Sequence, residues 1–253
     1  MGNSICFLLE LSPVFAILVH MRRIGISGLA AICSFFSFCQ KGSHQSAQEH
    51  MHKTDFDVLV QRFESEERNS YQKPDELMNH LDKIFRKHGS RASQFSQGWK
   101  GLKVADLGAG TGYFAFRMAE KGASVIALDI DERFLRYIEV HPSFNRFSNR
   151  IETRKIEPDS IGLASEEVDL IFSVNVYHHI DDRVQYFKEA RKSIRDQGLL
   201  VIVDFKKGDI PVGPPEHIKL SEQKVKSELS DAGFEVTVDG FLQYQNIYLG
   251  YPK

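Results

Sequence analysis

The sequence is nearly empty of cysteine. Its only three, Cys6, Cys33 and Cys39, all precede Gln40. The remainder of the chain has no disulfide framework and no thiol chemistry, and suits any redox compartment. An excess of one charge is missing too: 32 Lys and Arg against 34 Asp and Glu leave a net −2. That balance gives no electrostatic reason to expect a nucleic acid as partner. No internal repeat occurs at solenoid periods. No apolar run reaches the roughly 20 residues of a spanning helix. ICFLLELSPVFAILV is broken by Glu10 and Pro13, and IGISGLAAICSFFSFC stops at Cys39. No metal site is expected: His178 and His179 are neighbours, which chelate one ion poorly, and no third ligand stands at motif spacing.

What is present is ordinary globular material, 42% hydrophobic and 26% charged over 253 residues. That length suits one domain plus an N-terminal extension. The extension has a secretory layout: Met21-Arg22-Arg23, a short apolar stretch, then an abrupt polar switch. The order resembles a bacterial lipoprotein signal with Cys39 as the lipidated residue, although Phe38 stands where a small residue is preferred. A plain anchor or an uncleaved signal is the alternative, and Met21 the expected true start. Residues 1–40 are thus read as a signal or anchor-like segment and 41–53 as a polar linker. Residues 54–253 form the globular domain, with 54–90 as an N-terminal helical lid. The chain is expected to be exported or held at a membrane through its N-terminus; a cytoplasmic protein is the alternative.

Within the domain, TDFDVLVQRFESEER spaces apolar residues at helical intervals after the cap candidate Thr54. KPDELMNHLDKIFRKHG is a second helix, opened by Pro74 and closed at Gly89. Strands and helices then alternate. LKVADLG, SVIALD, RIETRKI, VDLIFSVN and LLVIVDF are strands; YFAFRMAEKG, DERFLRYIEVH, DDRVQYFKEARKSIRD and SEQKVKSELSDAG are helices. The third of these helices is capped by Asp181 or Asp182 and stopped by Gly198, and the fourth opens on a capping box at Ser221. FEVTVDG and QNIYLGY end the chain as strands with no room for a crossover helix, so they pair antiparallel. The pattern predicts a doubly wound, Rossmann-like α/β sheet with an antiparallel C-terminal edge.

The loop after the first strand reads Gly108, Gly110, Gly112, that is G-x-G-x-G. Tyr113 takes the third position of the dinucleotide fingerprint G-x-G-x-x-G, where a tyrosine fits poorly. Asp106, two residues before Gly108, would repel a pyrophosphate and attract a cation. Asp129 closes the second strand, where an acid accepts ribose hydroxyls. The acids and the glycines together point to a cationic nucleoside, and S-adenosylmethionine (SAM) carries both an ammonium and a sulfonium.

VADLGAGTG followed by VIALDID, with VDLIFSVNVYHHI and GLLVIVDF further on, resembles the class I SAM-dependent methyltransferases, and among them the small-molecule, type 11-like group. The resemblance covers about residues 54–253. It implies seven strands in the order 3-2-1-4-5-7-6 with strand 7 antiparallel, and S-adenosyl-L-methionine as cofactor. Gly108, Ala109, Gly110 and Gly112 would let backbone approach the methionine part. Asp106 would bind near the ammonium, Asp129 the ribose, and Ile130 the adenine. Asp159, or else Glu157, would take the adenine amino group, and Asn175 lies where donor and acceptor meet. The reaction implied is in-line methyl transfer to a small molecule, with His178 and His179 as candidates for a base. Tyr71 and Gln72 are lid candidates. Asp204 either contacts the acceptor or pairs with Lys206. For the histidines, local hydrogen bonding and a helix cap are the competing reading. Two other functions stay open: an aminopropyl transferase on the same fold, and a membrane-anchored, non-catalytic SAM-fold binding module.

Overall fold

The computed structural model describes residues 54–253 except residue 91. The signal-like segment, the linker and Cys39 lie outside the described residues.

Three helices come first: α1 (Phe56–Phe63), α2 (Glu66–Gln72) and α3 (Pro74–His88). The single helix expected through TDFDVLVQRFESEER is broken at Ser65. Its hydroxyl accepts the Arg68 N–H and caps a new helix, with Glu66 and Glu67 in the first turn. Asp55, rather than Thr54, caps α1, accepting from the N–H groups of Asp57 and Val58. Between α2 and α3 the chain turns at Lys73, whose φ of 45° is left-handed. The residue before a proline is driven out of right-handed helical conformation, so Pro74 separates the two helices.

Next come β1 (Lys103–Leu107), α4 (Ala115–Glu120), β2 (Ser124–Asp129), α5 (Glu132–Val140), α6 (Phe144–Phe147), β3 (Ile151–Lys155) and β4 (Val168–Val174). They are followed by α7 (Arg183–Ala190), β5 (Ile194–Phe205), α8 (Glu222–Asp231), β6 (Phe234–Asp239) and β7 (Gln245–Pro252). The strands form one sheet in the order β3-β2-β1-β4-β5-β7-β6, and β7 runs antiparallel to both β5 and β6. This is the expected sheet.

Two boundaries differ from the sequence reading. The helix expected to run to Gly198 stops at Ala190, and β5 begins at Ile194, paired with Val168. Gly198 lies inside the strand. A Cβ there would fall 2.4 Å from Ile194 Cγ2 and 2.6 Å from the Asp169 carbonyl oxygen. Close approach, rather than helix termination, requires the glycine. At α8 the Ser221 hydroxyl accepts the Lys224 N–H at 3.2 Å. Lys224 stands where a capping box needs glutamate or glutamine, so only half of the box forms.

Every residue of β4 is buried, and from Leu170 onward, past a register irregularity between Val168 and Leu170, successive side chains face opposite sides of the sheet. Leu170, Phe172 and Val174 join α3 and α4 on one face; Val168 and Ile171 join α7 and α8 on the other. On the first face Phe85, Trp99 and Phe95 pack edge to face, with Phe85–Trp99 centroids 4.7 Å apart, and Trp99 Nε1 donates to the Met78 carbonyl. This cluster fixes α3 to the sheet. From β1 the strand order runs one way through β2 and β3 and the other way through β4. The reversal opens a crevice at the carboxyl ends of β1 and β4, where open α/β sheets bind ligands.

Candidate active site

Asp106 sits at that crevice, near the end of β1, only 3% exposed. Burial pushes its carboxyl up to about 7; Arg68 pulls the value down and Asp129 raises it. Its Oδ2 is buried with no hydrogen-bond partner. The Arg68 side chain, from α2, reaches over the ring of Tyr113 with its guanidinium carbon 4.0 Å from the centroid. Arg68 Nη1 donates to the Phe63 carbonyl at 2.9 Å, while Nε is buried and unpartnered. Loss of water lowers the guanidinium pKa, and Asp106 is one of the groups opposing that shift. Among the described residues no hydrogen bond or ion pair joins Arg68 to Asp106. Each group therefore retains a buried polar atom without a partner, an unfavourable arrangement unless a ligand completes it.

Asp129, at the end of β2, is 7% exposed. Its Oδ2 accepts the Gly110 N–H and its Oδ1 the Asp131 N–H, each at 2.9 Å. Burial raises it to about 6 against those two bonds. The carboxylate thus ties the glycine loop to β2 and retains lone pairs for a diol. Gly108, Gly110 and Gly112 all have positive φ, 72°, 53° and 80°. At Gly108 a Cβ would lie 2.3 Å from Val176 Cγ2, so the loop fits against the turn after β4 only without a side chain. At Gly110 the near neighbour is the Phe63 ring at 3.3 Å. Ala109 is buried beside these glycines, and Thr111 Oγ1 is a further buried atom without a partner. Tyr113, the misfit for a dinucleotide fingerprint, is buried under Arg68 and Arg117.

Asn175 follows β4 with φ of 62°, a left-handed conformation that asparagine tolerates. It belongs to a ring of three carboxamides. Asn175 Nδ2 donates to Gln72 Oε1 at 3.2 Å, Gln72 Nε2 to Gln245 Oε1 at 2.7 Å, and Gln245 Nε2 to Asn175 Oδ1. Gln72 and Gln245 are fully buried. The ring ties the end of α2 to the strand ends at Asn175 and Gln245. Tyr71 is half-buried, its ring 5.8 Å from that of Phe205.

The turn Tyr177–His179 places His178 beside Asp204 at the end of β5. His178 Nδ1 lies 2.8 Å from Asp204 Oδ1 and 3.0 Å from Oδ2, and the His178 backbone N–H donates to Oδ2 at 3.1 Å. The Phe205 N–H donates to Oδ1 at 2.8 Å. Asp204 is not paired with Lys206, whose Nζ donates to the carbonyls of Leu242 and Gln243. The His179 ring lies tilted against His178 with centroids 4.1 Å apart, and burial lowers its pKa to about 4. Neither histidine caps the next helix; the Asp182 side chain does. Ile130 is half-buried beyond β2, and Asp159 is exposed in the loop after β3.

The structure thus gathers Asp106, Asp129, the glycines, Asn175, His178 and Asp204 along one edge of the sheet. Arg68 and Gln245 also belong there and were not singled out by the sequence. An arginine in a polar helical stretch carries no local signal, and the Gln245 contact spans 173 residues from Gln72.

Residues 105–202 match a family profile described as a methyltransferase domain. Residues 105–202 are thus a methyltransferase domain. A probable S-adenosylmethionine-dependent methyltransferase of Mycobacterium tuberculosis is 27% identical over 156 residues, 59% of this chain and 55% of the relative. A ubiquinone biosynthesis O-methyltransferase of Roseobacter denitrificans is 28% identical over 103 residues, 41% of each chain. The chain spans about half the length of the curated relatives it matches. The crystal structure of a SAM-dependent methyltransferase from Aquifex aeolicus superposes with a TM-score of 0.65 at 24% identity, covering 79% of this chain and all of that one. The likeness extends the methyltransferase fold beyond the span of the profile.

SAM fits the residues present. The unpartnered Asp106 oxygen suits an ammonium, the unpartnered Arg68 Nε a carboxylate, and the side-chain-free glycine loop the close passage of the methionine chain.

Proposed function

We propose that the protein transfers a methyl group from SAM to a small-molecule acceptor. The observation that carries this reading is the pair Asp106 and Arg68. A buried carboxyl and a half-buried guanidinium, each with a buried, unpartnered atom and not bonded to each other, are complementary to an α-amino acid zwitterion. Such a zwitterion is present in SAM and absent from nicotinamide dinucleotides. Decarboxylated SAM, the donor of aminopropyl transfer, would leave Arg68 unpaired, so that alternative loses support. The O-methyltransferase relatives favour a small-molecule acceptor.

SAM, when bound, supplies a methyl group on a sulfonium that is its own leaving group. The protein's part is orientation and exclusion of water. Asp129 holds the ribose, Asp106 and Arg68 the amino acid end, and the glycine backbone lies alongside. Ile130 contacts the adenine and Asp159 its amino group. Asn175 stands at the meeting point of donor and acceptor. The carboxamide ring keeps α2 closed over the crevice, and Tyr71 walls the acceptor side.

Titration calorimetry with SAM and with its demethylated product tests the reading. Binding of both, and transfer of label from methyl-tritiated SAM into small-molecule extracts, is expected. No heat with either ligand from a folded chain would refute it.

A further inference from the structure

The pairing of His178 with Asp204 bears on which acceptors the site can use, and it rests on the methyltransfer reading above. Asp204 is buried and accepts three groups: the His178 backbone N–H, the Phe205 N–H and the His178 ring at Nδ1. A carboxylate so surrounded is a hydrogen-bond acceptor, which requires the proton on Nδ1. The free lone pair of the ring is then on Nε2. That nitrogen makes no hydrogen bond with any described residue. The ring stands at the carboxyl edge of β4 and β5, three residues from Asn175. Phe205 lies edge-on to it at 6.5 Å, and the Tyr71 ring of α2 is tilted against Phe205 at 5.8 Å. His179 shares its turn, Asp204 comes from β5, and Tyr248 of β7 is near enough to feel the charge of Asp204. His179 is held neutral by burial, so it adds no charge beside the ring at neutral pH.

We infer that His178 Nε2 is the general base of this site, with Asp204 as its positioning residue, and that the acceptor is a planar ring bearing a hydroxyl that must lose its proton. A thiolate or a stabilised carbanion has no use for a fixed base, whereas a phenolic hydroxyl, with a pKa near 10, does. As the acceptor oxygen bonds to the methyl carbon, the carbon–sulfur bond breaks and its electron pair stays on sulfur. The hydroxyl proton passes to Nε2, and the imidazolium is balanced by Asp204. Tyr71, Phe205 and His178 gather aromatic side chains, inclined to one another, beside that nitrogen, and aromatic rings favour contact with another ring.

Two measurements on the full chain test this. In the SAM-free protein, nitrogen-15 histidine spectra at neutral pH should show one ring with a protonated Nδ1 and a bare Nε2. That signal should vanish in His178→Gln, and in Asp204→Asn its proton should shift toward Nε2. A wild-type ring carrying its proton on Nε2 overturns the assignment, whether or not SAM binds; failure of SAM to bind strikes the parent reading separately. Catechol and 4-nitrothiophenol, the latter already ionised, are then compared as acceptors. His178→Gln should lower the catechol-to-thiolate rate ratio about 100-fold, the usual range for a general base. Asp204→Asn should lower kcat for catechol with KM unchanged. An unchanged ratio in His178→Gln, or wild-type turnover of the thiolate without catechol, overturns the proposal.

Discussion

Binding of SAM should release a proton from Asp106, and its affinity should rise with pH. In the free fold this carboxyl titrates at about 7 instead of 3.8, chiefly because it is buried. Its charged form is therefore less favourable in the fold than in water by about 4 kcal/mol, at 1.36 kcal/mol per unit. The raised value gives the sign. The folded chain holds a proton that the unfolded chain releases, so the free protein loses stability as pH climbs from 3.8 to about 7. A bound ammonium favours the carboxylate and returns part of that loss. If only the ionised form accepts SAM, the competent fraction is about one in eleven at pH 6 and about three-quarters at pH 7.5. The dissociation constant should then fall about eightfold over that interval, about 1.2 kcal/mol. Titration calorimetry in buffers of different ionisation enthalpy reads both the affinity and the proton. Asp106→Asn should weaken binding and flatten the profile. A dissociation constant constant within twofold from pH 6 to 7.5 in the native chain, or an unchanged slope in Asp106→Asn, would refute the electrostatic reasoning.

Arg68→Gln should cost about 10- to 100-fold in SAM affinity while leaving decarboxylated SAM unaffected, since one charge-assisted contact of roughly 1.5–3 kcal/mol is lost; competition binding with the two ligands measures it. Gly108→Ala forces a side chain into a left-handed φ of 72° and into Val176. It should lower stability by about 1–3 kcal/mol, read as a reduced melting temperature. Phe85→Ala removes a fully buried ring packed on Trp99 and Phe95 and should cost about 3–5 kcal/mol in denaturant unfolding, with SAM binding retained at low denaturant.

The alternation of strand and helix, the antiparallel last strand, the glycine loop and its two acids were all legible in the chain. These are local properties: a period of two or three and a half, a turn that only glycine can make, an acid at a strand's end. Helix limits were less legible. Pro74 opens α3 as expected, but Ser65 splits the first expected helix by capping, and the early end of α7 at Ala190 is set by pairing of Ile194 with Val168 in the sheet. His178 and Asp204 were each named from sequence, but their union depends on β4 lying beside β5. Lys206, two residues away, was the nearer partner along the chain and the wrong one in space. Arg68 and Gln245 gave no sequence signal, because their roles exist only when α2 is folded over the strand ends. The sequence alone determined the sheet and the charge of the proposed cofactor seat. Tertiary structure decided which distant side chains complete that seat, because burial and long-range contact, unlike periodicity, come into being only when the chain closes on itself.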